Sequence, residues 1–163
     1  MKRFFILILL ISATLCSCIS KKRGEQSTGM QMLEMLNEQG LSLLVYNNET
    51  LSTHSNRGVQ DLLALVATEP DRLKGAIVAD KITGKAAAAL MATGGVVEVY
   101  TNIISTPARE LLEAENIKVF ATKEVPYILN RNKSNMCPFD SRLEGISSVK
   151  ECVEILQNIP PVL

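Results

Sequence analysis

The chain contains no tryptophan and a single histidine, and aromatic residues make up only 4% of its 163 residues. Surfaces that stack sugars or nucleic-acid bases rely on several aromatic rings, so this composition argues against such a platform. Basic and acidic residues balance at 17 each, which leaves no basic excess of the kind that nucleic-acid-binding domains cluster on one face. Leucine, valine, isoleucine and alanine must therefore build the core, which favours an ordinary layered α/β domain.

The long apolar run stands at the N-terminus, where residues 4–15 follow Lys2 and Arg3. This run is too short to span a bilayer comfortably and has the features of a signal peptide. The segment Leu15-Cys16-Ser17-Cys18 resembles the lipobox of bacterial lipoproteins, in which a small residue precedes the lipidated cysteine. Because Ser17 is small and Leu15 is bulky, Cys18 is the better candidate. An ordinary cleaved signal without lipid is the alternative.

These features predict three regions: a signal peptide over residues 1–17, a flexible polar tether over residues 18–28, and one domain over residues 29–158. We therefore expect an exported lipoprotein, anchored to a membrane through its N-terminal lipid on the periplasmic or outer face. Of the four cysteines, Cys137 and Cys152 fall in the domain. Their spacing leaves open whether they form a disulfide in an oxidising compartment.

Strand-like and helix-like patterns alternate between residues 59 and 121, which is typical of crossover connections in a mixed or parallel sheet. Helices are predicted between Met30 and Gly40 and over residues 59–67, 83–93, 106–115 and 149–156. Strands are predicted over residues 41–46, 50–53, 76–79, 96–100 and 117–121, with the first two forming a hairpin. The expected fold is α/β, a three-layer α/β/α sandwich with a mixed sheet.

The densest polar cluster, residues 79–85, lies where a buried strand ends and an alanine-rich helix begins. Open α/β sheets bind ligands at such junctions, because free backbone N–H groups and the positive helix end face the ligand. The candidate ligand-binding residues here are Asp80, Lys81, Gly84 and Lys85. The segment is not a phosphate-binding loop, since Asp80 stands where that motif needs a glycine. Alternatively, Asp80 or Thr83 simply caps the helix and the lysines are solvated.

A second cluster covers residues 127–140, a segment with little periodicity in which polar side chains stand among apolar ones. Loops of this kind often carry function. Asn130 and Arg131 are candidate ligand-binding residues. Cys137 precedes Pro138 and would be a reactive thiol if it lay near a helix N-terminus, whereas a buried cysteine would be inert.

These clusters, together with Ser105, Pro107, the run Val125-Pro126-Tyr127-Ile128 and Met136-Cys137-Pro138, resemble the DUF1893 family of domains of unknown function. The resemblance covers residues 41–157 and implies a cytidine deaminase-like fold, with two helix N-termini meeting at one pocket lined by Asp80, Lys81, Ser105 and Cys137. Zinc deaminases place a His or Cys with a Glu at the first helix start and Pro-Cys-x-x-Cys at the second. This chain has neither pattern. We therefore expect no metal and no cofactor.

Two functions are consistent with these patterns. The first is a zinc-independent pocket for a small anionic or nucleoside-like ligand, in which Asp80, Lys81 and Cys137 are the candidate catalytic residues if the domain is an enzyme. The second is a non-catalytic, membrane-tethered interaction module that has kept the fold and lost the chemistry. The apolar hairpin over residues 41–53 suggests a homo-oligomer by analogy with deaminase-like domains. No nucleic-acid partner is expected.

Overall fold

The computed structural model of the chain describes residues 27–159, so the predicted signal peptide, Cys18 and nearly all of the predicted tether lie outside the described residues. The helices are α1 (Thr28–Gln39), α2 (Gln60–Thr68), α3 (Lys85–Gly94), α4 (Thr106–Ala114), α5 (Pro138–Ser141) and α6 (Val149–Gln157). The strands are β1 (Leu43–Asn47), β2 (Thr50–His54), β3 (Ile77–Thr83), β4 (Glu98–Ser105) and β5 (Lys118–Val125). Within residues 27–159, no helix combines the length and the apolar character needed to cross a bilayer.

The strands form one five-stranded mixed sheet in the order β2-β1-β3-β4-β5, which confirms the predicted α/β class. β1 is antiparallel to both β2 and β3, whereas β3, β4 and β5 run parallel to one another. Thr83 pairs with Ile104, and Ser105 pairs with Val125. The C-terminal ends of the three parallel strands therefore meet along one side of the sheet, here called the carboxyl edge.

Buried side chains form two clusters, and consecutive residues of a strand belong to different clusters. Val78 packs with residues of α2, α3, α4 and α6, while its neighbour Ala79 packs with residues of α1. This division follows from the pleat of a strand, which points successive side chains to opposite faces. Helix α1 contributes Met32, Leu33 and Leu36 to its cluster.

Small residues allow two helices to pack closely. The run Ala86 to Ala89 in α3 is buried, so this helix lies tightly in the larger cluster. Gly29 in α1 lies against the ring of Tyr100, where any side chain on residue 29 would overlap the ring. Tyr100 also stacks on Phe120, with ring centroids 4.5 Å apart.

The order of the main elements is as predicted, but β3 extends beyond the expected end at Ala79. Pairing with β4 continues through Ile82 and Thr83, so Asp80 lies inside the strand and not at the strand–helix junction. The polar residues after Ala79 end the apolar pattern in the sequence, but the backbone hydrogen bonds between β3 and β4 continue. The short helix α5 was not predicted, and it begins at Pro138, a residue well suited to the first turn of a helix.

Candidate functional site

A cavity of about 340 Å³ lies at the carboxyl edge. It is bounded by the start of α3, the β4–α4 junction, the segment after β5, and the residues in and after α5. Its lining residues are Lys85, Ser105, Pro107, Pro126, Tyr127, Met136, Asp140, Glu144 and Gly145. The cavity therefore has mainly apolar walls with a few polar groups, the composition typical of small-molecule sites.

Ser105 is the most informative residue of this cavity. It is the last residue of β4 and the N-cap of α4, and it is fully buried. Its Oγ atom has no hydrogen-bond partner among the described residues. The neighbouring hydroxyl of Thr106 donates instead to Glu124 Oε1 at 2.9 Å. Because buried hydroxyl groups are nearly always hydrogen-bonded, the Oγ atom of Ser105 is an unused hydrogen-bonding group on a residue of the cavity wall.

Asp140 occupies the N-terminus of α3. Its Oδ1 accepts a hydrogen bond from the backbone N–H of Ala86 at 3.1 Å, although the two residues are far apart in sequence. The N-cap residue, Gly84, has no side chain of its own to do this. Neither Asp80 nor Thr83 caps the helix, so the alternative considered from the sequence is wrong in its choice of residue. Burial raises the pKa of Asp140, and the nearby N–H groups and Lys85 partly oppose that effect.

Gly84 is required for this contact. A Cβ atom at residue 84 would lie 2.8 Å from Asp140 Oδ1 and would overlap Oδ2. Lys85, the first residue of α3, is held nearby because its Nζ donates to the carbonyl oxygen of Leu143 at 2.8 Å. The start of α3 is thus joined to the segment around α5 by a carboxylate cap and an ammonium–carbonyl hydrogen bond.

Asp80 lies inside β3 and is not among the residues that line the cavity. Only 8% of its surface is exposed, and it accepts a 2.8 Å hydrogen bond from the hydroxyl of Thr83. Burial raises the pKa of Asp80 from 3.8 to about 7, while hydrogen bonds from Thr83 and the backbone partly oppose the shift. Asp80 has no salt bridge within the described part of the chain. It can therefore hold a proton near neutral pH.

The other predicted residues fall in different places. Lys81 is exposed on β3 and does not line the cavity, and Gly84 is buried under Asp140. Asn130 organises its own loop, because its Oδ1 accepts from the backbone N–H of Ser134 at 3.0 Å. Arg131 is exposed in the same loop. Of the seven predicted ligand-binding residues, the structure thus brings Lys85 and Ser105 to the cavity.

The two cysteines of the domain are free thiols and do not form a disulfide. Cys137 is half-buried and is the N-cap of α5, and it adjoins Met136, which lines the cavity. Cys152 is buried in the larger core cluster, and burial raises the pKa of its thiol. Cys137 is the cysteine next to the cavity.

Three wall residues, Tyr127, Met136 and Asp140, belong to the segment that the sequence marked as unusual, although none of them was predicted to bind a ligand. Glu144 escaped prediction altogether, since an exposed glutamate after a short helix has no distinguishing local pattern. Pro138 was the available sequence signal for this part of the wall, because a proline indicates the start of a helix, and α5 begins there.

A second cavity of about 530 Å³ lies at the opposite end of α3, beside the start of α6. Three of its polar side chains are already engaged: Ser148 Oγ accepts from the N–H of Glu151, and Lys150 pairs with Glu154 at 3.8 Å. It is therefore a weaker candidate than the smaller cavity. In residues 27–159, no group of three or more His, Cys, Asp or Glu side chains is arranged to hold a metal ion.

Together, the mixed sheet and the cavity at its carboxyl edge define an α/β domain whose cavity lies where open α/β sheets bind ligands. The chain belongs to the DUF1893 family: residues 31–159 match TM1506, described as a domain of unknown function (DUF1893). Its fold is similar to the crystal structure of a DUF1893 family protein from Thermotoga maritima, with a TM-score of 0.74 and 25% sequence identity. That match covers 82% of this chain and 90% of the other. No curated protein matches the sequence.

Proposed function

We propose that this chain is an exported, lipid-anchored domain that binds a small ligand at the carboxyl-edge cavity without zinc. The observation that carries the binding proposal is the buried, unpartnered hydroxyl of Ser105 on the cavity wall. The cavity volume, about 340 Å³, falls at the lower end of the range for small-molecule sites. The sequence suggested two ligand classes, anionic and nucleoside-like, and both belong in the first screen.

The proposal includes a cytidine deaminase-like, three-layer fold. The two separate core clusters, one with α1 and the other with α2, α3, α4 and α6, support helices on both faces of the sheet. The starts of α3 and α4 both contribute residues to the cavity, through Lys85 and through Ser105 and Pro107. Because the first start lacks the His or Cys with a Glu of zinc deaminases and the second lacks a cysteine, the donor set does not fit a catalytic zinc.

Binding is proposed here, and turnover is not. Of the three candidate catalytic residues, none lines the cavity: Lys81 is exposed, Asp80 is buried within β3, and Cys137 follows the wall residue Met136 in the chain. The competing function, a membrane-tethered interaction module, would leave the cavity empty of small ligands.

Self-association is also proposed, supported by the edge position of β2 and by the 38% exposure of Leu51 on that strand.

Ser105→Ala is the test of the binding site. A buried hydroxyl without a partner destabilises a fold by roughly 1–3 kcal/mol, so we expect its removal to leave the free energy of unfolding unchanged or to raise it by about 1 kcal/mol. The same change should remove ligand-induced stabilisation. The measurement is thermal unfolding with nucleosides, nucleotides, sugar phosphates and small acids, where a ligand at about 100 times its Kd stabilises by about 2.7 kcal/mol.

Ser55→Ala is the matched control, because Ser55 is exposed between β2 and α2, away from the cavity. It should leave both the stability and the ligand response unchanged. If no compound stabilises the wild-type protein, or if Ser105→Ala responds as the wild type does, the cavity is not the binding site and the interaction module becomes the better explanation.

The lipid anchor is tested by exchanging each cysteine near the predicted cleavage site. We expect Cys18→Ala to abolish incorporation of a labelled fatty acid in a bacterial host and to release the chain from the membrane fraction. Cys16→Ala is the matched control and should keep both the label and the membrane location. If Cys16→Ala loses the label and Cys18→Ala keeps it, the lipid is attached to Cys16. If the wild type takes up no label, the segment is an ordinary cleaved signal.

A further inference from the structure

The wall of the carboxyl-edge cavity has more acidic than basic side chains. Two carboxyl groups, those of Asp140 and Glu144, line it with one ammonium group, that of Lys85. The Lys85 ammonium already donates to the carbonyl oxygen of Leu143 at 2.8 Å. Glu144 is exposed and has no salt bridge among the described residues. With both carboxyl groups ionised, the side chains that line this cavity carry a net charge of −1, from two carboxylates and one ammonium group.

At the two helix N-termini beside this cavity, one backbone N–H group that would attract an anion is occupied and another is missing. At α3, the carboxylate of Asp140 already accepts the backbone N–H of Ala86. At α4, the second helical residue is Pro107, which has no N–H to donate. A phosphate or carboxylate group entering here would meet the two carboxyl groups of Asp140 and Glu144 against the single ammonium group of Lys85.

We infer that the cavity takes a small ligand that carries N–H donors and no negative charge. Its amino or amidino group would donate to the carboxylate of Glu144, its apolar ring would pack on Tyr127, Met136 and the two prolines, and a polar ring atom or substituent would meet Ser105 Oγ. This inference rests on the proposed function. Of the two ligand classes that the sequence left open, the acidic side chains of this cavity disfavour the anionic one.

The test uses three probes that share one ring and differ in charge: benzamidine, benzamide and benzoate. Their Kd values are measured by ligand-observed NMR on the full chain, purified in a nonionic detergent. We expect benzamidine to bind at least about tenfold more tightly than benzoate, with benzamide between them. Glu144→Gln keeps the size of the side chain and removes its charge, so it should weaken benzamidine binding about tenfold and change benzamide binding little.

Glu110→Gln is the matched control, since Glu110 is an exposed glutamate of α4 that does not line the cavity, and it should change no Kd. If benzoate or inorganic phosphate binds at least as well as benzamidine, and Ser105→Ala abolishes that binding, the charge assignment is overturned while the proposed function stands. If none of the three ring probes binds, this inference fails. If the broader compound screen fails as well, the proposed function fails with it.

Discussion

Replacing Asp80 with asparagine is expected to remove much of the pH dependence of stability between pH 4 and pH 7. Burial raises the pKa of Asp80 from 3.8 to about 7, so the folded protein holds this proton where the unfolded chain releases it. The stabilisation is complete below pH 3.8 and is lost as the pH rises through about 7. Each pH unit between these values contributes up to about 1.4 kcal/mol, which sums to roughly 4 kcal/mol.

The measurement is urea unfolding, followed by circular dichroism, at pH 5, 6, 7 and 8. We expect the free energy of unfolding of the wild type to fall over this range, and that of Asp80→Asn to fall much less. At pH 8 the variant should be more stable by about 2–4 kcal/mol, because asparagine keeps an oxygen for the Thr83 hydroxyl and cannot ionise. That difference is large against a total stability of about 5–15 kcal/mol.

Asp71→Asn is the control for the loss of a carboxyl group, since Asp71 is exposed in the 3₁₀ turn after α2. It should leave the pH profile of the wild type unchanged. The raised pKa of Asp140 acts in the same direction, so some slope should remain in Asp80→Asn. An Asp80→Asn profile parallel to the wild type would show that Asp80 is ionised throughout this range.

The second large effect is expected from Gly84→Ala. The backbone at this residue is extended, so alanine is not disfavoured by conformation. The added methyl group would instead collide with the carboxylate of Asp140, which cannot retreat without losing its hydrogen bond to Ala86. Overpacking of this kind destabilises a protein by about 1–3 kcal/mol. Chemical denaturation at constant pH measures the change.

Asp140→Ala completes a double-mutant cycle. On its own it removes the cap of α3 and should destabilise the protein by about 1 kcal/mol. In the double variant the methyl group added at residue 84 no longer meets a carboxylate, so the combined loss should be smaller than the sum by about 1 kcal/mol or more. Additive effects would mean that the two residues do not contact each other in solution.

Local patterns were enough to predict most of the fold. The spacing of Leu62 and Leu65 indicated α2, and glycines after α1 and α3 indicated where those helices end, because such signals depend on neighbours within one or two turns. The end of β3 was predicted too early, at Ala79. There the apolar pattern stops while the hydrogen bonds to β4 continue, and a ladder depends on the partner strand, which no local pattern contains.

The candidate site was predicted less completely than the fold. Lys85 was identified because it stands at a junction between a strand and a helix, which the pattern locates, and Ser105 was identified through the family resemblance. Glu144 was not, because its place on the cavity wall depends on how the segment after α5 returns to the sheet. Asp80 was expected at a ligand-facing junction, and the longer strand places it inside β3, where it does not line the cavity.

The sequence by itself determined the order of helices and strands and the α/β class, since both depend on composition and on short-range patterns, and its motifs carried the resemblance to the family. Only the tertiary structure decided which carboxylate caps α3, that burial raises the pKa of Asp80, and that the hydroxyl of Ser105 has no partner among the described residues. These properties depend on groups that lie far apart in the chain, such as Ala86 and Asp140. The packing of the sheet edge against distant segments brings such groups together or leaves them without a partner.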